Sequence, residues 1–399
     1  MGQPDSTTDH QITPFRIQTP QADLEQLRNR LAEVRWPERE PVSDWSQGVP
    51  LDCLRELCAY WTNGYGWRAA EERLNRLAQF VTVIDGLPIH FFHLRSPVPT
   101  ALPLIMTHGW PGSFFEFERV VQRLADPATQ GDETEQAFHV VVPSLPGYGF
   151  SGRPGGTGWG IHHIADAWAE LMRRLGYQRF LAGGSDWGSS VSTCIALQHP
   201  QRLIGLHLVP PLVPPYTTSP EELSEAERAA LTELNERSKT GSAYSAVHAT
   251  RPQTIGYSLV DSPTGLCAWI LEKLWLWSDH GGDLYQVLSR DQVLDNITLY
   301  WLTGTGASSA RLYWESIAEV TSWFSGVIID TIGVPTGCTV FPREVPRPFR
   351  SWAERRFANI VHWGEPQRGG HFGAWEQPDL FLNEVRAVAR ALPARISSG

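Results

Sequence analysis

Gly184-Ser185-Asp186-Trp187-Gly188 stands between an apolar run, RFLAGG, and a helix-compatible stretch, SSVSTCIALQ. A side chain held at so sharp a strand-to-helix turn is placed to act as a nucleophile, and the turn admits only small residues two positions before and two after it. With Asp186 as nucleophile the flanks are Gly184 and Gly188. With Ser185 they are Gly183 and Trp187, and an indole does not fit. The frame therefore points to a carboxylate. A carboxylate suits attack at saturated carbon, as in an epoxide or an alkyl halide, because water can then hydrolyse the alkyl ester at its own carbonyl. A serine would be left as a stable ether. Asp186 as a mere helix N-cap would explain the residue but not the two glycines.

Chemistry of this kind needs an oxyanion site and a base. His108-Gly109-Trp110-Pro111-Gly112-Ser113 directly follows the apolar run LPLIMT. A loop in that position supplies one oxyanion-hole amide, and the residue after the nucleophile supplies the other, so the backbone N–H groups of Trp110 and Trp187 are the expected donors. Alone, HGWPG is equally an ordinary turn; the elbow downstream gives it weight. Near the C-terminus, Arg368-Gly369-Gly370-His371-Phe372 offers His371 as the base, in the chain order nucleophile, acid, histidine. The acid should follow the preceding strand, where VPTGCTVFPREVP contains Glu344, with Glu354 and Glu365 as nearby competitors. His90 and His93 invite a metal reading, but three residues apart on a strand they face opposite sides.

The elements that must position these groups are legible as patterns. Residues 13–79 read as helical, with Leu24, Leu27, Leu31 and then Leu51, Leu54, Leu57 at helical spacing. From Phe80 the period becomes two, and FVTVI, Asp85-Gly86 and LPIHFFHL read as a hairpin. Apolar runs at 102–108, 138–144, 179–185, 203–209, 334–341 and 358–363 then alternate with helical stretches, which implies a mainly parallel sheet covered on both faces. The alternation fails between about 212 and 325, where Ser219-Pro220 and Ser262-Pro263 each start a helix. Helices inserted there form a lid over the carboxyl ends of the strands.

Composition removes several function classes. The 33 Lys plus Arg against 43 Asp plus Glu leave a net charge of -10, which repels nucleic acid and anionic membrane. Five cysteines without a CxxC pair suggest neither a disulfide framework nor a zinc site. No secretory signal or membrane-length apolar run is present, so a cytoplasmic location is expected. Lys239 and Lys273 are the only lysines, a bias associated with high-GC bacterial coding sequences.

With these motifs assembled, the chain resembles the microsomal-type epoxide hydrolases, including the insect juvenile hormone epoxide hydrolases and bacterial relatives. The resemblance rests on RWPE (35–38), HGWPGS (108–113), PSLPGYGFS (143–151), GGSDWGS (183–189), DSPTGLCAWILEK (261–273), FPREVP (341–346) and RGGHFGAWEQP (368–378). It implies an α/β-hydrolase fold with a helical extension (1–79), core segments (80–211 and 326–399) and a helical lid (212–325). It also implies that two lid tyrosines protonate the epoxide oxygen, and the match places them at Tyr244 and Tyr313, with Tyr300 as a substitute for the latter. The expected reaction is epoxide plus water to vicinal diol through an aspartyl ester, without metal or organic cofactor. The resemblance departs at the membrane-anchoring helix of the animal microsomal enzymes, for which no counterpart is expected here. A haloalkane dehalogenase shares the aspartate elbow, and seventeen tryptophans keep that alternative open; a non-catalytic binding protein is the alternative from another class. The aromatic lid suggests a bulky apolar epoxide, such as an intermediate of enediyne biosynthesis, and a homodimer is the default expectation.

Overall fold

The computed structural model describes residues 11–131, 134–214, 223–324, 330–344 and 347–393. Among the described residues, nine strands form one sheet: β1 (Thr13–Pro14), β2 (Gln79–Ile84), β3 (Leu87–Leu94), β4 (Leu102–Thr107), β5 (Phe138–Pro143), β6 (Phe180–Ser185), β7 (Leu203–Val209), β8 (Thr336–Thr339) and β9 (Ile360–Gly364). Their spatial order is β1-β2-β3-β5-β4-β6-β7-β8-β9. The first three neighbour pairs are antiparallel and every pair from β5 to β9 is parallel.

The apolar runs explain this arrangement. All six residues of β6 are buried, as a strand covered on both faces requires. The helices Glu118–Ala125 and Pro378–Ala391 pack together, and Ile161–Arg174 packs with Trp187–Gln198, giving a helical layer on each side of the sheet. The β2–β3 hairpin turns through Asp85 and Gly86 with φ of 50° and 76°, the positive values that a tight two-residue turn demands.

The N-terminal segment departs from its helical reading at both ends, since Gln79 already belongs to β2, and between residues 33 and 50, where only Trp45–Gln47 is helical. Residues 13–14 are strand, adding β1 to the antiparallel edge. A short extended segment shows no helical periodicity, and its pairing with β2 is a non-local contact. The helices Gln21–Ala32, Leu51–Asn63 and Trp67–Leu74 follow, burying Leu24, Leu27, Leu31, Leu54, Leu57 and Trp61.

Among the described residues, six α-helices lie between β7 and β8: Glu225–Gly241, Ala243–Thr250, Pro252–Asp261, Pro263–Trp277, Arg290–Thr303 and Gly306–Phe324. Ser262 caps its helix by accepting from the Gly265 N–H, with Pro263 at the first position. The Ser219-Pro220 start lies outside the described residues; the described helix there begins after Ser224, which forms a reciprocal capping box with Glu227. The N-terminal segment is tied to these helices through Trp61 Nε1, which donates to Thr298 Oγ1 at 2.9 Å, and through Tyr65 and Arg73, which both bind Asp295.

Candidate active site

The parallel register brings the site loops together. Thr107 pairs with Gly184, so the loop after β4 and the elbow after β6 leave the sheet side by side. Thr339 pairs with Gly364, which does the same for the loops carrying Glu344 and His371. All four leave the carboxyl ends of parallel strands, where open α/β sheets place ligands.

Asp186 sits at the start of the Trp187–Gln198 helix with φ 52° and ψ -121°. Such a conformation in a non-glycine residue is strained and is sustained by its surroundings. A Cβ on Gly184 would lie 2.4 Å from the Gly188 carbonyl carbon, and one on Gly188 would lie 1.8 Å from the Thr107 oxygen. Both flanking positions therefore require glycine. Gly109 allows the neighbouring loop to approach just as closely, since its Cβ would stand 2.1 Å from Asp186 Oδ1. The Trp110 N–H donates to that same oxygen at 2.9 Å. Trp187 opens the helix, where backbone N–H groups lack intrahelical acceptors.

His371 lies between two carboxylates. Its Nδ1 is 2.8 Å from Glu344 Oε1, and its Nε2 is 3.5 Å from Asp186 Oδ2. Burial on its own would lower the imidazole pKa, but the charge of Glu344 and the nearby Asp186 carboxylate outweigh it and hold it well above the usual histidine value. Glu354 and Glu365 instead pair with Arg350 and Arg347 on exposed surface. Of the three carboxylates open in the sequence, Glu344 is the one in contact with His371.

Tyr244 and Tyr313 line the same cavity as Asp186 and His371, about 180 Å³ in volume. Their rings cross at 79° with centroids 5.8 Å apart. Tyr244 stacks on Trp110 at 5.1 Å and Tyr313 meets Trp187 edge-on at 4.8 Å. Burial above all raises both phenols over their usual value, with the Asp186 charge adding to it, so both keep their protons at neutral pH. Tyr300 is placed differently: its hydroxyl donates to the Gly112 carbonyl at 2.7 Å.

Several polar groups around the site carry no sequence motif that singles them out. Asn296 donates to the Pro111 carbonyl at 2.8 Å and accepts from the Ser113 hydroxyl at 2.7 Å. Its spacing of four from Tyr300 puts both on one helix face, the signal by which they could have been found. Glu116, buried beneath the elbow, accepts from the Ser185 hydroxyl at 3.0 Å and is pushed by burial up to about 8. His108 accepts the Leu145 N–H at Nε2 and places Nδ1 3.0 Å from the Gly109 carbonyl, which assigns its proton to Nδ1. His90 binds Ser144 and Gln79 while His93 binds Tyr177. Among the described residues no group of three or more His, Cys, Asp or Glu is arranged to hold a metal, and no helix is long and apolar enough to cross a membrane.

A mainly parallel sheet with helices on both faces and the elbow at a strand's carboxyl end define an α/β-hydrolase, and residues 103–245 match the alpha/beta hydrolase fold family. Residues 12–117 match the family described as "Epoxide hydrolase N terminus". The chain is 50% identical to a Stigmatella aurantiaca protein provisionally assigned as an epoxide hydrolase, over 96% of this chain and 86% of that one. It is 34% identical to epoxide hydrolase 1 of Sus scrofa, over 96% and 89% of the two chains. The structure of Aspergillus niger epoxide hydrolase superposes with a TM-score of 0.85 at 31% identity, covering 97% of this chain and 98% of the other. The chain belongs to the epoxide hydrolase family.

Proposed function

We propose that this chain converts an apolar epoxide to a vicinal diol through a covalent ester on Asp186. The observation that carries the reading is the placement of His371 between Asp186 and Glu344 in a cavity that also holds two protonated phenols. Asp186 Oδ2 attacks an epoxide carbon, and the electron pair of the breaking C–O bond takes a proton from Tyr244 or Tyr313. The Trp110 N–H faces Oδ1, which becomes the ester carbonyl oxygen.

His371, oriented by Glu344, then removes a proton from water as it attacks the Asp186 carbonyl carbon. The Trp110 and Trp187 amides stabilise the tetrahedral oxyanion. Collapse releases the diol with the former Oδ2, protonated by the imidazolium, and the carboxyl proton restores the phenol. Esterification also cancels the Asp186 charge, one of the two that raise His371, and so frees the imidazole to act as a base at the step that needs one. Residues 212–325 serve as the lid in this reading, between core segments 80–211 and 326–399 and after the extension 1–79.

The cavity walls, including Leu212, Val213, Ile317, Val320 and Phe324, support an apolar substrate. Nothing in them singles out an enediyne precursor. One observation favours the alkyl-halide alternative: the Trp187 indole N–H is buried without a hydrogen-bond partner among the described residues and would suit a halide. The paired phenols favour the epoxide.

A single turnover of styrene oxide in H₂¹⁸O, followed by mass spectrometry of the peptide containing Asp186, tests the reading. Heavy oxygen in the Asp186 carboxylate together with a diol product is expected. An unlabelled Asp186 with a labelled diol means direct attack by water and overturns it.

A further inference from the structure

Glu376 is 5% exposed and ends the short Gly373–Glu376 helix that directly follows the His371 loop. Its Oε2 accepts from the Gly370 N–H at 3.0 Å and its Oε1 from the Phe372 N–H at 3.1 Å, so one carboxylate grips the backbone on both sides of His371. Oε2 also accepts from the Asp279 N–H at 2.7 Å, just past the end of the Pro263–Trp277 helix. Two further bonds close the junction: His371 N–H to the Trp277 carbonyl at 2.8 Å, and Gly369 N–H to Asp279 Oδ2 at 2.9 Å. The approach is so close that a Cβ on Gly370 would lie 2.3 Å from the Trp277 oxygen.

Burial pushes the Glu376 carboxyl up to about 7 while the three backbone donors pull it down, and to its ionised form those donors are charge-assisted hydrogen bonds, among the strongest available to a loop. A glycine-rich loop such as Arg368-Gly369-Gly370-His371 has little stiffness of its own. The imidazole it carries must keep one nitrogen on Glu344 while the other faces the ester carbonyl, and a displacement of about 1 Å is enough to slow such a step substantially.

We propose that Glu376 is a positioning residue for the water-activating half of the reaction, anchoring the His371 loop to the inserted helices. This rests on the ester reading above. Glu376 touches neither the nucleophile nor the phenols in any contact of the structure, so its influence falls on ester hydrolysis and not on ester formation.

The test compares the native enzyme, Glu376→Gln, Glu376→Asp and His371→Gln in rapid-quench single turnovers of styrene oxide, following the ester on the Asp186 peptide by mass spectrometry. Glu376→Gln keeps the shape but turns one acceptor into a donor facing N–H groups. It should form the ester at the native rate and hydrolyse it about 10- to 100-fold more slowly. Glu376→Asp, which keeps the charge, should recover part of that loss, and it supplies the reading if the amide variant does not fold. Ester accumulating in His371→Gln but decaying at the native rate in both Glu376 variants overturns the role of Glu376 alone, as does an equal slowing of both half-reactions. No ester in His371→Gln overturns the covalent reading, and the Glu376 role falls with it.

Discussion

Tyr300 donates its hydroxyl to the carbonyl of Gly112 at 2.7 Å, and so holds the loop that aims the Trp110 amide at Asp186. A residue in that place acts on the loop proposed to supply an oxyanion-hole amide, and it is not among the residues that line the cavity with Tyr244 and Tyr313. Tyr300→Phe should therefore cost about 2- to 10-fold in turnover, the range of one neutral hydrogen bond. Tyr244→Phe and Tyr313→Phe should each slow ester formation by about tenfold, and the double variant by about 10²- to 10⁴-fold, as expected for loss of a general acid. Stopped-flow measurement of the alkylation phase separates the two cases. A Tyr300→Phe variant as defective as the double would reverse the assignment.

His371 is held above its usual pKa chiefly because Glu344, and then Asp186, outweigh the effect of burial. In the proposed reaction His371 is the base and is useful only when neutral, so ester hydrolysis should fall away on the acid side. Because the ester carries no charge at Asp186, that acid limb should lie at lower pH than the titration of His371 in the free enzyme. Asp186→Asn should likewise lower the His371 pKa, read from its imidazole resonances by NMR. An unchanged value would show that the Asp186 charge does not reach the ring.

Glu116 gives a pH signature in stability. Burial raises its carboxyl to about 8, above the ordinary unfolded value, so the protonated form stabilises the fold fully below about pH 4.5. That contribution is lost as pH rises toward 8, by at most about 1.4 kcal/mol per pH unit. Glu116→Gln mimics the protonated carboxyl and does not ionise. Its urea midpoint relative to the native protein should therefore improve steadily from about pH 5 to 8. A constant difference across that window would mean that Glu116 is ionised in the fold at both ends.

Trp168 tests the layer beneath the site. It is 0% exposed, and its Nε1 donates to Thr107 Oγ1 at 3.0 Å, at the end of the strand that leads into the Trp110 loop. Trp168→Ala should destabilise the protein by about 3 to 5 kcal/mol through lost burial and the cavity left behind. Trp168→Phe should recover most of the packing but leave the Thr107 hydroxyl without its donor. Urea unfolding of the two variants distinguishes packing from the hydrogen bond.

The sequence alone determined what depends on neighbouring residues. The elbow is a steric constraint spread over five consecutive positions, so Gly184 and Gly188 pointed to Asp186 before any fold was known, and the structure finds backbone atoms where either Cβ would have to go. The parallel strands were legible for the same reason, because burial on both faces writes itself into a continuous apolar run. Tertiary structure alone decided what depends on distant partners. Glu344, Glu354 and Glu365 look alike in sequence, and only the loops after β8 and β9 set one of them against His371 while leaving the others on the surface. Tyr300 and Tyr313 sit in successive helices, and the packing of those helices over the strand ends sends one to a loop carbonyl and the other to the cavity. Asn296 meets partners 183 and 185 residues away. Glu376 closes a junction with a segment 97 residues earlier. No local pattern records such contacts, because a hydrogen bond across that distance is specified by how the whole chain packs.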